Sequence, residues 1–210
     1  RAAEDVVDLT REGAKVTRDV ELPPEAEPIR DEVRAFADRI KGLSAEDQRT
    51  EMIETGYVQP HWPKPWGREA APVEQLVVEQ EFAATGVKRP AYGITGWVIL
   101  TIIQHGTEDQ VARWVRPTLN QEVIWCQLFS EPDAGSDAAG VKTKATRTAE
   151  GYEITGQKMW LTNGGTSNLV AVRAKTDEGV DSVYKNMTTF LVEKEPGFGE
   201  VAQGITVPGK

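Results

Sequence analysis

Cysteine is nearly missing from this 210-residue chain. Cys126 stands alone, so no internal disulfide can form, which suits a reducing compartment. Histidine is almost as scarce. His61 and His105 lie far apart, with no cysteine or carboxylate at ligand spacing, and this argues against a metal site. No apolar run approaches ~18 residues, so no transmembrane helix and no stable membrane insertion are expected. No signal-peptide pattern opens the chain. No Lys/Arg-rich run offsets the formal charge of −9, which argues against nucleic acid as a partner. GxGxxG, P-loop, GxSxG and HExxH patterns are absent, so a nucleotide bound here is not held by a Rossmann turn. What is present, 39% hydrophobic and 27% charged residues, is ordinary for a soluble globular chain of one domain or two small ones. The chain starts at Arg1 and stops at Lys210 just after a strand-like stretch, and it is expected to be part of something longer.

The first half reads as helices. Residues 1–27 are charged and aperiodic, and Pro23, Pro24 and Pro28 mark an extended lead-in. Ile29, Val33, Phe36 and Ile40 then recur along one helical face, with Pro28 at its start and Gly42 at its end. Ser44 with Asp47 predicts a capped second helix, closed by Gly56. Prolines crowd QPHWPKPWG at 59–67, so this is no helix interior. It is either a rigid loop whose indoles cover the core edge or a wall near a ligand entrance. Pro72 starts a third helix that ends near Gly86. The apolar stretch 94–104 predicts a buried helix. Thr107 and Gln110 form a capping box for another, which Pro117 is expected to end at Arg116.

After Leu119 the period becomes extended. Strands are predicted at 123–129, 141–148, 152–155, 158–162, 169–175 and 188–193, with a hairpin between the second and third. The expected class is therefore α+β: an N-terminal all-helical domain (28–121) followed by a small antiparallel β-barrel domain (122–210).

Two stretches carry the chemistry: Trp125–Ser136, WCQLFSEPDAGS, and Gly156–Gly165, GQKMWLTNGG. Each begins extended and ends in a turn of small, hydrogen-bonding residues. Such rims present N–H groups and hydroxyls to a flat polar-edged ring or a phosphate. Ser130 ends a strand and can donate through its hydroxyl and its amide. Gly135 lets a ligand approach the backbone. Ser136 can donate to a phosphate or thioester oxygen, whereas Asp137 is expected to hold the loop by accepting backbone N–H bonds. Trp160 is either a core indole in a strand or a flat wall beside a cofactor ring, with Thr162 as a polar handle. Cys126 reads as an inert buried thiol.

Residues 124–137, IWCQLFSEPDAGSD, followed by 156–163, GQKMWLTN, resemble the acyl-CoA dehydrogenase family. Trp62-Pro63 with Gly67, the helix start at His105–Gln110 and Pro196-Gly197-Phe198 extend the likeness over residues 28–210. The resemblance implies a flavin-binding middle domain and FAD, contacted by Gln127, Leu128, Phe129, Ser130, Gly135 and Ser136 and by Trp160, Leu161 and Thr162. Ser136 would also touch the acyl-CoA substrate, and the helix at 94–104 would line the acyl pocket. The implied reaction is α,β-dehydrogenation of an acyl-CoA thioester, with hydride transfer to flavin. An electron-transfer flavoprotein is the implied acceptor, and a homotetramer or hetero-oligomer the implied assembly. The family's catalytic Glu lies in a C-terminal helical domain, expected beyond Lys210, and no Glu here matches it. A bacterial cytoplasm is expected rather than a mitochondrial matrix. Two alternatives stand beside this reading: a non-catalytic subunit lending half a site to a partner, and a β-barrel binding module without flavin.

Overall fold

A computed structural model describes residues 22–176 and 186–194. Five helices come first: α1 (Glu27–Ile40), α2 (Ala45–Glu54), α3 (Pro72–Thr85), α4 (Ile94–His105) and α5 (Glu108–Leu119). Five strands follow: β1 (Trp125–Leu128), β2 (Lys144–Arg147), β3 (Tyr152–Thr155), β4 (Leu169–Lys175) and β5 (Met187–Glu193). The predicted caps form. Ser44 accepts the Asp47 amide, and Thr107 and Gln110 complete a reciprocal box. Gly86 ends α3 at φ 79, a left-handed conformation that costs glycine little.

The apolar stripe of α1 packs on α3 and on the loop after α2. Phe36 lies 4.5 Å from Tyr57 and 6.0 Å from Phe82, ring centre to ring centre. One buried carboxylate fastens the pair: Glu81 on α3 accepts from Arg30 at 2.6 Å and Arg34 at 2.8 Å on α1. Burial opposes the charge on Glu81, but the two guanidinium groups win and hold its carboxyl below the usual range. In the proline-rich loop Trp62 is buried and Trp66 packs against the core edge, as the rigid-loop reading requires.

Trp125 joins the helices to the sheet. It is fully buried, its amide donates to the Thr95 hydroxyl on α4 (3.2 Å), and its Nε1 donates to the Thr118 hydroxyl on α5 (3.1 Å). The Trp114 ring meets it edge-on at 5.7 Å. The period of two in β1 then turns Cys126 and Leu128 to the opposite face, where they pack with Val170 and Val172. Burial pushes the Cys126 thiol up. At the far end, Glu193 of β5 pairs with Arg113 (2.6 Å) and accepts from Trp114 Nε1 (3.3 Å).

The α+β class and the order of helices before sheet hold. Four expectations are corrected. The sheet is mixed rather than antiparallel, because β1 runs parallel to β4, pairing Trp125 with Leu169 through Leu128 with Val172. The chain between them crosses over through the antiparallel β2–β3 hairpin, so β4 arrives in the direction of β1. Among the described residues no ladder joins β3 to β5, although Tyr152 and Phe190 touch at 5.1 Å. Second, α5 passes Pro117 and continues to Leu119. Proline removes only one amide in this last turn, and the turn closes through Asn120 N–H to Arg116 (3.0 Å) and the Thr118 hydroxyl to Trp114 (2.6 Å). Third, 158–162 is no strand. Fourth, α4 is not buried all round, since Trp97 is 70% exposed. Within the lead-in, a short 3-10 turn (Pro24–Ala26) runs directly into α1. The rest of the lead-in, 1–21, and the Pro196-Gly197-Phe198 segment lie outside the described residues.

Candidate functional site

The two motif stretches meet. The amide of Met159 donates to the carbonyl of Ser130 at 2.9 Å, bringing the loop after β3 against the end of β1. A buried ion pair backs this contact. The Lys158 ammonium donates to the Glu131 carboxylate at 2.7 Å and to the Phe129 carbonyl at 3.1 Å, with side-chain exposures of only 8% and 5% for the pair. Glu131 also accepts the Thr143 hydroxyl (2.6 Å) and the amides of Lys142 (2.5 Å) and Thr143 (3.0 Å). Burial would raise the Glu131 carboxyl; Lys158, Thr143 and the two amides outweigh it and bring it down to about 2. A charge buried this deeply is tolerable only with such complete pairing.

Beyond Glu131 the chain turns sharply. Glu131 and Ala134 exchange backbone hydrogen bonds of 2.8 and 3.2 Å, leaving Gly135 and Ser136 exposed on the outer side. Asp137 accepts the Gly140 amide at 3.2 Å, which is the loop-holding role expected of it. On the second rim Trp160 is 82% exposed at φ 60, so it is no core indole in a strand. A bulky residue adopts left-handed backbone only where its surroundings force it. Here the forcing neighbours are Lys158 and Met159, both pinned to the end of β1. Thr162 is exposed, and Asn163, at φ 67, donates from its side chain to the Trp125 carbonyl at 3.2 Å.

The remaining candidates point elsewhere. The side chain of Leu128 is buried in the apolar cluster around Cys126, and half-buried Leu161 packs against that cluster. Phe129 is half-buried beneath Arg173, whose guanidinium carbon lies 5.8 Å from the ring centre. Gln127 is half-buried. A cavity of about 370 Å³ opens between α4, the end of α5 and the start of β1, lined in part by Tyr92, Thr95, Thr118, Ile124 and Asn163. Asn163 thus belongs both to this cavity and to the turn that follows Trp160.

Sequence reasoning missed Glu131, Thr143 and Lys158 as a unit. It also missed Gly156, where an added Cβ would collide with the Thr143 side chain. The available signal was Lys158 itself, an unneutralised cation amid the hydrophobic residues of a stretch otherwise fit for a strand.

Comparison with known proteins accords with this geometry. Residues 23–122 match the model of the acyl-CoA dehydrogenase N-terminal domain, and residues 126–208 match that of the acyl-CoA dehydrogenase middle domain. Acyl-CoA dehydrogenase FadE34 of Mycobacterium tuberculosis is 40% identical over 90% of this chain and 26% of its own length. A mitochondrial 2-methylacyl-CoA dehydrogenase of Solanum tuberosum is 37% identical over 59% of this chain and 30% of its own length. A glutaryl-CoA dehydrogenase of Mycobacterium smegmatis, solved in complex with FADH2, shares 26% identity and a TM-score of 0.53 over 82% of this chain and 46% of that one. The chain therefore spans under a third of the length of these curated relatives. Two adjoining domain models in consecutive order, covering the helices and the sheet, establish that the chain belongs to the acyl-CoA dehydrogenase family.

Proposed function

We propose that these residues form the helical and middle portions of a FAD-dependent acyl-CoA dehydrogenase, divided near residue 121, with the flavin seated across the rims at Ser130 and Trp160. The carrying observation is the Met159–Ser130 hydrogen bond, which sets an exposed indole beside the half-buried serine that follows β1. The rims fit a flat ring that hydrogen-bonds along its edges. A Cβ at Gly135 or Gly165 would meet nothing within 4 Å, so both turns are open to a close approach. The relative solved with FADH2 supports the same cofactor.

Bound flavin supplies a hydride acceptor for the β-hydrogen of an acyl-CoA thioester. The chain's own part is to bind and orient. Ser130 and Thr162 offer hydroxyl donors to the ring edge, and Trp160 covers one face of the ring and keeps water from it. Gln127, Leu128, Phe129 and Leu161 contribute backbone contacts, and Ser136 binds both cofactor and thioester. The exposed face of α4 around Trp97 and the adjoining cavity receive the acyl chain. No residue of this chain is assigned the α-proton base. An electron-transfer flavoprotein as acceptor, an oligomeric assembly and a bacterial cytoplasmic setting complete the proposal; the bacterial relative matches far more of the chain than the mitochondrial one.

The test is flavin absorbance near 450 nm in the purified protein, with Ser130→Ala combined with Trp160→Ala. Flavin retention should fall by about tenfold or more, the equivalent of ~1.4 kcal/mol. Unchanged occupancy would overturn the site. Bleaching by acyl-CoA without an added partner would count against the non-catalytic alternative.

A further inference from the structure

We infer that Glu131 and Lys158 are positioning residues of the flavin site, acting through Ser130 and Trp160 without touching the cofactor themselves. This rests on the flavin reading above and adds to it the device that sets the spacing between the rims.

Three observations carry it. First, the Lys158 ammonium bonds at once to the Phe129 carbonyl (3.1 Å) and to Glu131 (2.7 Å), the residues on either side of Ser130. One buried cation therefore holds the backbone carbonyl before the rim serine and the side-chain carboxylate after it. Second, Lys158 is followed by Met159, whose amide holds the Ser130 carbonyl, and then by Trp160 at φ 60. The strained indole backbone hangs directly from the anchored lysine. Third, the Glu131 carboxylate is saturated by Lys158, Thr143 and two amides, so the anchor is fixed from the segment entering β2 as well. Gly156 is the only residue that fits against Thr143 at the entrance to this loop, because a Cβ there would displace the hydroxyl that Glu131 accepts.

A purely stabilising ion pair would behave like Glu81 with Arg30 and Arg34, whose carboxylate is as buried as that of Glu131 though its guanidinium partners are more exposed, and which lies within the helices. The two roles separate experimentally. Lys158→Met, Lys158→Arg and Glu81→Gln are made in the full-length protein. Flavin occupancy, the visible circular dichroism of bound flavin and Tm are then measured. Lys158→Met should lower FAD retention at least tenfold and alter the dichroism of whatever flavin remains. Lys158→Arg should restore part of both. Glu81→Gln should lower Tm with an unchanged flavin spectrum. Where Lys158→Met does not fold, Glu131→Gln is measured in its place, with the same expected loss. An unaltered spectrum and occupancy in the Lys158 or Glu131 variant would overturn the inference, as would equal spectral changes in Glu81→Gln. A wild-type protein that takes up no flavin would overturn the flavin reading and the inference with it.

Discussion

The amide of Met159 lies 2.9 Å from the carbonyl of Ser130, joining residues 29 positions apart in a chain whose intervening segment includes the β2–β3 hairpin. That bond turns two weak turn motifs into one rim. It also makes the neighbouring Trp160 backbone a place where stability and binding pull in opposite directions.

Trp160→Gly should show that opposition. Left-handed backbone costs a residue with a Cβ about 1–2 kcal/mol, whereas glycine adopts it freely at a smaller entropic cost. The flavin-free protein should gain roughly 0.5–1 kcal/mol in urea denaturation. FAD retention should fall about tenfold, by ~1.4 kcal/mol. A variant that loses stability, or that keeps its flavin, contradicts the account.

Gly156→Ala should destabilise. The new methyl group meets the Thr143 side chain, which cannot retreat without releasing Glu131. Overpacking of this kind costs about 1–3 kcal/mol. Gly135→Ala is the control, because a Cβ there enters open space. Urea midpoints for the two variants give the comparison.

Acid sensitivity follows from Glu131. Its carboxyl sits at about 2 in the fold, against an ordinary 4.5. A depressed carboxyl contributes stability that is complete above the ordinary value and drains away as pH falls toward the folded one. Stability measured from pH 6 down to pH 2 should therefore drop most steeply below about 4.5. Glu131→Gln should lower the plateau and flatten part of that limb. A limb of unchanged steepness would show that other carboxylates, Glu81 among them, carry the acid response.

Trp125 is the joint between helices and sheet, and its removal should be felt in both. Trp125→Ala should cost about 3–5 kcal/mol, within the range for large-to-small changes in a core. Trp125→Phe keeps most of the apolar contact but loses the bond to Thr118, and should cost about 1–3 kcal/mol. Hydrogen exchange should report loosening of α4 and of β4 together in the phenylalanine variant. Loosening confined to one side would remove Trp125 from this role.

Local signals decided which parts of this fold could be read in advance. Pro72 and Gly86 bracket α3 in the sequence and in space, and Thr107 with Gln110 announces α5, because caps act within one turn of chain. The strand expected at 169–175, set apart by Gly-rich turns, matches the bounds of β4. Pro117 misled, since a helix tolerates one lost amide in its final turn. The stretch 158–162 misled more instructively. Its residues suit a strand, yet Lys158 is drawn to a carboxylate 27 positions away, and no local rule contains that attraction. The parallel pairing of β1 with β4 is equally non-local. At the candidate site, Ser130 and Gly135 were legible as turn chemistry, whereas the turn at Trp160 and the Glu131–Lys158 anchor behind it were not.

The burial of Cys126 has a practical use. It is the sole thiol in these 210 residues and is wholly enclosed, with its thiol pushed up by burial, so maleimides and other alkylating reagents should pass this chain by in its native state. A cysteine introduced at Gly135 or Thr162 would then be the one reactive sulfur on the chain's surface. A dye attached there would report on the rim from a single known atom, with no background from the rest of these 210 residues.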